Sequence, residues 1–75
     1  MNEITKNSID NYVNHKLEPG SFVKAVLAND LVGAFSYADQ DNVSSLRETV
    51  LYMYNHIPSN VWGSYEKVKS HLNRN

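Results

Sequence analysis

The stretch whose reading decides the fold is Leu17–Phe35, LEPGSFVKAVLANDLVGAF, an apolar run opened by Pro19-Gly20-Ser21 and interrupted by Asn29-Asp30. Val23, Leu27, Leu31, Ala34, Phe35 and Ala38 keep helical spacing straight through the interruption, so one continuous helix would carry a single apolar stripe. Against it, Asn29 tolerates the left-handed conformation that ends many helices, and Asp30 is a favoured N-cap. The sequence therefore predicts two short helices meeting at Asn29-Asp30, the first capped by Ser21 and the second by Asp30. The pair is then punctuation; the alternative is a functional carboxylate at Asp30.

Working towards the N-terminus, Ile4, Ile9, Tyr12, Val13 and Leu17 fall near helical spacing, with Asn7, Asn11 and Asn14 between them. This predicts a helix over residues 3–15, weak in intrinsic propensity because of its asparagines, followed by a connection from Lys16 to Gly20. Towards the C-terminus, ADQDNVSSLRETVLYMYNHIP carries the strongest helical signal, with Val43, Leu46, Val50, Met53, Tyr54 and Ile57 on one face and Pro58 ending the run. It is expected to be the central helix. Asp39, Asp41 and Ser45 can each cap it, and Ser45 with Glu48 matches a capping box; Asp41 or Asp39 is favoured because either keeps Val43 inside the helix. Phe22, Phe35, Tyr12 and Tyr54 lie on apolar stripes and are expected inside, whereas Tyr52 shares a polar face with Ser45, Glu48 and His56. After Pro58 a turn leads to a final helix capped at Ser64, with Tyr65, Val68 and Leu72 inward. Trp62 either folds over the core as a lid or belongs to a binding surface.

These elements make an all-α domain of four to five short helices, spanning residues 1–75 as a single unit. A chain of this length buries only about 60% of the surface its unfolded form exposes. No cysteine is present to brace so small a core, and seven basic against eight acidic residues give a formal charge of -1. That balance provides no general attraction to nucleic acid. No segment is apolar for long enough to span a bilayer and the N-terminus carries no secretion pattern, so the expectation is a soluble, cytoplasmic protein.

Catalytic and metal-binding patterns fail on spacing. There is no cysteine nucleophile or Gly-x-Ser-x-Gly elbow, and Gly20, Gly33 and Gly63 are isolated rather than gathered in a phosphate loop. His15, His56 and His71 are too scattered to share a helix face as metal ligands. Asp39-Gln40-Asp41-Asn42 starts like a calcium loop, but its later ligand positions fall on Val43 and Val50. We expect no enzyme, no metal and no cofactor. A DNA-reading helix needs basic and amide groups along an exposed face. The Asn42–Ile57 segment offers Arg47 as its one lysine or arginine, and although the final helix carries Lys67, Lys69, His71 and Arg74, Lys67 and Lys69 point to different sides, so a small DNA-binding regulator ranks last.

The strings PGSFVKAVLANDLVGAFSYADQDN and YNHIPSNVWGSYEKV resemble a family of small proteins encoded by bacteriophages and prophages. The shared pattern is a Pro-Gly-Ser-Phe start, an Ala-Val-Leu-x-Asn-Asp-Leu centre, an Ala-Asp-x-x-Asn step and a Trp-Gly-Ser end. It covers the chain from about Ile9 to Val68, with Glu18 standing where the pattern has a second proline. The resemblance implies a phage accessory protein in the host cytoplasm and no particular activity. The function expected on these grounds is protein binding that modulates or inhibits a bacterial host factor, with a phage structural, adaptor or self-associating role as the alternative. Aromatics that the core does not require are the natural anchors, which points to a patch containing Tyr52, bordered by Trp62 or Tyr65.

Overall fold

A computed structural model describes residues 1–74. Its elements are α1 (Glu3–His15), α2 (Ser21–Leu27), α3 (Leu31–Tyr37), α4 (Gln40–Ser44), α5 (Leu46–His56), a 3-10 turn (Ser59–Val61) and α6 (Tyr65–Asn73). Among the described residues there is no strand, and the all-α architecture matches the helical spacing of the sequence. The Cα radius of gyration, 11.1 Å, is what close packing gives for this length.

Asn29-Asp30 does break the apolar run in two. Asn29 takes a left-handed conformation, φ 60°, and its N–H donates to Val26 O at 3.0 Å while that of Asp30 donates to Ala25 O at 2.9 Å. This is the paired hydrogen bonding of a Schellman stop, which satisfies carbonyls that the ended helix would leave orphaned. Asp30 then starts α3, its carboxylate accepting from Gly33 N at 2.8 Å. α1 ends in a related way, with Lys16 at φ 55° and its N–H on Tyr12 O.

The caps differ from expectation in two places. Gly20, not Ser21, is the N-cap of α2, and Ser21 is already its first helical residue, so no side-chain bond caps this helix. Asp39, not Asp41, caps α4 by accepting from Asn42 N at 2.8 Å; Asp41 lies inside the first turn. Ser64 caps α6, accepting from Lys67 N at 3.1 Å. Among the described residues six α-helices form, because the segment expected to run unbroken to Ile57 is interrupted at Ser45. There the Ser44 hydroxyl donates back to the carbonyls of Gln40 and Asp41, a side-chain bond that competes with helix continuation.

The central element is α2, not α5. Phe22, Val23, Ala25, Val26 and Leu27 are all buried, so α2 touches neighbours on nearly every side. It packs closely on α3 and also meets α1 and α6, while α1 also packs on α5. From α1 come Ile9 and Tyr12, from α5 Met53, from α6 Val68, and burying each such side chain contributes about 1.5–3 kcal/mol. The Tyr12 hydroxyl donates to Val61 O at 2.6 Å, and His71 Nε2 donates to Tyr12 O at 2.8 Å, which ties α1 to the 3-10 turn and to α6. Gly63 closes the same region, donating its N–H to Leu27 O at 2.6 Å from a backbone with φ +119°.

The phase of α5 is rotated from the expected one. Thr49 and Met53 are buried and Leu46 and Tyr52 half-buried, while Val50 and Tyr54, expected inward, are exposed. Thr49 can face inward because its hydroxyl donates to Ser45 O at 3.1 Å, leaving only a methyl group to the core. Ile4 in α1 and Leu17 just beyond its end are likewise exposed, with Thr5 taking the inner position.

Candidate protein-binding site

Tyr52, Trp62 and Tyr65 are each committed to an internal hydrogen bond on a different element. Tyr52, expected on the solvent side, packs against the core and donates to Asp10 Oδ1 at 2.5 Å. Lys6 Nζ meets the other oxygen of Asp10 at 3.0 Å and stands 5.5 Å from the Tyr52 ring centroid, and the His56 ring lies 4.9 Å away on the far side. The hydrogen bond from Tyr52, aided by Lys6, holds the Asp10 carboxyl below its ordinary range, and the same bond raises the Tyr52 hydroxyl. The four residues clamp α1 to α5. Trp62 is half-buried and donates to Ile57 O at 3.2 Å, lying over the core as a lid. Tyr65 is exposed along its ring, but its hydroxyl donates to Asp30 Oδ2 at 2.6 Å.

Asp30 therefore has two duties. One oxygen caps α3 through Gly33 N and the other receives the Tyr65 hydroxyl, so the cap is fastened to α6. Tyr65 first, then Gly33, draws the Asp30 carboxyl below its usual range, and the same contact raises the Tyr65 hydroxyl. Gly33 is required by this arrangement: a Cβ there would lie 2.3 Å from Asp30 Oδ2.

What the fold leaves uncovered is the surface of α3 and the adjoining side of α5. α3 has no acidic residue in its first turn and no basic one in its last, and it buries only Ala34. Leu31 is 66% exposed, Val32 77% and Phe35 51%; on α5, Val50 is exposed as well and Tyr54 is 71% exposed. Leu31 with Phe35, and Val50 with Tyr54, are i, i+4 pairs, each forming one ridge of its helix. Between the helices a hollow of about 70 Å³ is lined by Val26, Leu31, Ala34, Leu46 and Val50, together with Asn29 and Asp30. The expected burial of Phe35 and Tyr54 is thus overturned. With Leu31, Val32, Ala34, Phe35 and Tyr37 spread over seven residues, α3 is apolar round most of its circumference, Gly33 and Ser36 taking the remaining side, and a lone helix packed against one neighbour buries only one side. That pattern was present in the sequence and could have marked the face.

Two larger hollows lie elsewhere, one of about 380 Å³ along α1 lined by Ile4, Asn7, Ser8, Asn11, Leu17 and Glu18. The other, of about 380 Å³ beside α6, is lined by Glu18, Lys24, Tyr65, Lys69, Leu72 and Asn73, and Lys24 there is already paired with Glu18 at 2.7 Å. Among the described residues no three His, Cys, Asp or Glu side chains are gathered as a metal site, and no helix is long and apolar enough to cross a membrane. His71 is buried with Nε2 on a carbonyl, and its Nδ1 meets no partner among the described residues.

No protein-family profile, curated protein or solved structure matches this chain.

Proposed function

We propose that the chain acts by binding another protein through the apolar face of α3 and α5. One observation carries this: a whole helix buries a single alanine and presents Leu31, Val32 and Phe35 outward, with Leu31 across a small hollow from Val50 of α5, whose i+4 neighbour Tyr54 is exposed as well. A small protein rarely exposes a contiguous apolar surface beyond a few hundred Å² unless it serves an interaction. Phe35 and Tyr54 are the anchors, because aromatic side chains bury much area while fixing few rotatable bonds. Tyr52 and Trp62 are supports of the fold in this assignment, and Tyr65 acts through the Asp30 cap. The resemblance to small phage proteins makes a bacterial host factor, modulated or blocked by contact, the partner class we propose, without catalysis and without a cofactor.

The test is site-specific photo-cross-linking in bacterial cells, with a benzophenone side chain at Val32 and, as a control, at Ile4 on α1. A discrete adduct from position 32 that is absent from position 4 supports the assignment. Adducts of equal yield from both positions, or none from position 32, refute it.

A further inference from the structure

We propose that two copies of this chain pair through the α3–α5 face, forming a two-fold dimer that is the resting form of the free protein. The inference rests on the reading of that face as a protein-contact surface and adds its occupant when no other protein is present.

The first argument is area. A whole aromatic side chain offers about 150–250 Å², so Leu31, Val32, Phe35, Val50 and Tyr54 together expose on the order of 600 Å². A stable interface takes about 800 Å² from each partner, so these side chains supply about three-quarters of it and the polar rim the rest.

The second argument is shape. In a two-fold pair the same patch serves both copies, so it must carry projections and a recess together. Here the exposed Val32 and Phe35 project from the helix that also walls the hollow of about 70 Å³. Small-molecule sites are typically about 300–1,000 Å³, and a recess this small takes part of a side chain instead.

The third argument is charge. Leu31 to Ala38 contains no aspartate, glutamate, lysine, arginine or histidine. Identical surfaces brought face to face set like charges near each other; α3 brings none, and the charges at the border of the face are Asp30 by the hollow and Arg47 one turn before Val50 on α5. A strongly charged partner would find nothing on α3 to pair with.

Sedimentation equilibrium of the purified full chain, from about 10 μM to about 1 mM, covers the range of moderate to weak association. The expected result is a mass rising from 8.5 kDa towards twice that value. Val32→Glu and Tyr54→Arg each place a charge in the interface, and each is expected to raise the dissociation constant at least about tenfold with an unchanged dichroism spectrum. Ile4→Glu, on the exposed side of α1, is expected to leave the pair intact. Because a charged variant can fail to fold, the wild-type protein is also measured as a mixture of isotope-labelled and unlabelled copies. Intermolecular nuclear Overhauser contacts from Val32, Phe35 or Tyr54 are expected there.

A wild-type mass of one chain across the whole range overturns the dimer, as does pairing undiminished in the Val32→Glu, Tyr54→Arg double variant. So do intermolecular contacts that arise only from other surfaces, or pairing abolished by Ile4→Glu. A monomer whose position-32 cross-linker still captures a different protein in cells refutes the dimer and leaves the protein-binding function standing. A monomer that captures nothing removes both.

Discussion

Removing a single oxygen atom from the middle of the molecule tests how the last third of the chain is held. Tyr12→Phe keeps the ring, 4.7 Å from that of His71, and deletes the hydroxyl that donates to Val61 O at 2.6 Å. Tyr12 is fully buried and Val61 nearly so, so water has no ready route to the abandoned carbonyl. A buried acceptor left unsatisfied costs about 1–3 kcal/mol, while the space vacated by one oxygen is too small to add much. In a domain of this size each kcal/mol moves the melting temperature by about 4–8 °C, so a fall on the order of 10 °C is expected in thermal melts followed by far-ultraviolet dichroism at neutral pH. The hydroxyl also has a pH signature. Burial first, and the charge of Glu18 second, push it from 10.0 up to about 12. The folded state favours the neutral phenol, so its contribution is complete below about pH 10 and is lost as pH rises through the folded value. The deficit of Tyr12→Phe relative to wild type should therefore shrink above about pH 10. Tyr52 and Tyr65 titrate in both proteins and cancel in the difference. A neutral-pH melting temperature within about 2 °C of wild type would show that the bond to Val61 does not hold this part of the fold, and a deficit that stays constant up to about pH 12 would show that the hydroxyl is not shielded from water there.

Gly33→Ala sets two effects against each other. Alanine is the better helix former by about 1 kcal/mol, yet its Cβ would meet the Asp30 carboxylate at 2.3 Å and dislodge the cap, so urea melts should show a net loss; a gain would mean the carboxylate moves aside freely. On α5, Met53→Ala should cost about 2–5 kcal/mol, because that side chain is 1% exposed, while Val50→Ala one turn away should change stability little. Comparable losses at the two positions would mean that the helix phase is wrong. In acid, Asp10 and Asp30 contribute stability that is complete above about pH 4 and is lost as pH falls through their lowered folded values. Asp10→Asn should accordingly flatten the acid limb of a urea-midpoint profile, and an unaltered limb would sever Asp10 from that dependence.

Local signals in the sequence were reliable where one residue type has one strong backbone preference. Asn29 in the left-handed region, Asp30 and Ser64 as caps, and the stop before Pro58 follow from chemistry within a few residues of each position. Helix phase was harder to read, because it depends on which neighbour claims which side. Val50 and Tyr54 sit at core spacing in α5, but α1 approaches from the side of Thr49 and Tyr52, through Asp10, and leaves them outside. Ser45 divides two helices on the strength of a hydroxyl bond that Ser44 can form in many settings. The candidate site followed the phase: Tyr52 looked free because its face carries Glu48 and His56, and it proved to be a clamp. Gly33 gave no sign of its role, which arises only once Asp30 reaches it.

The Asp30 cap has a consequence for how strongly the exposed face can bind. With only Ala34 buried, α3 is held to the body by its cap, the bond to Tyr65 and its contact with α2, so, like α4, which buries no residue, it can open without unfolding the rest. In native-state hydrogen exchange its amides should lose protection before those of α2. Whatever docks on Leu31, Val32 and Phe35 needs them arrayed on a formed helix, and the apparent dissociation constant rises in inverse proportion to the fraction of molecules in which that helix is formed. Under the proposed binding role, Asp30 would tune the affinity of the ridge from its edge, by setting how much of the time there is a ridge to bind.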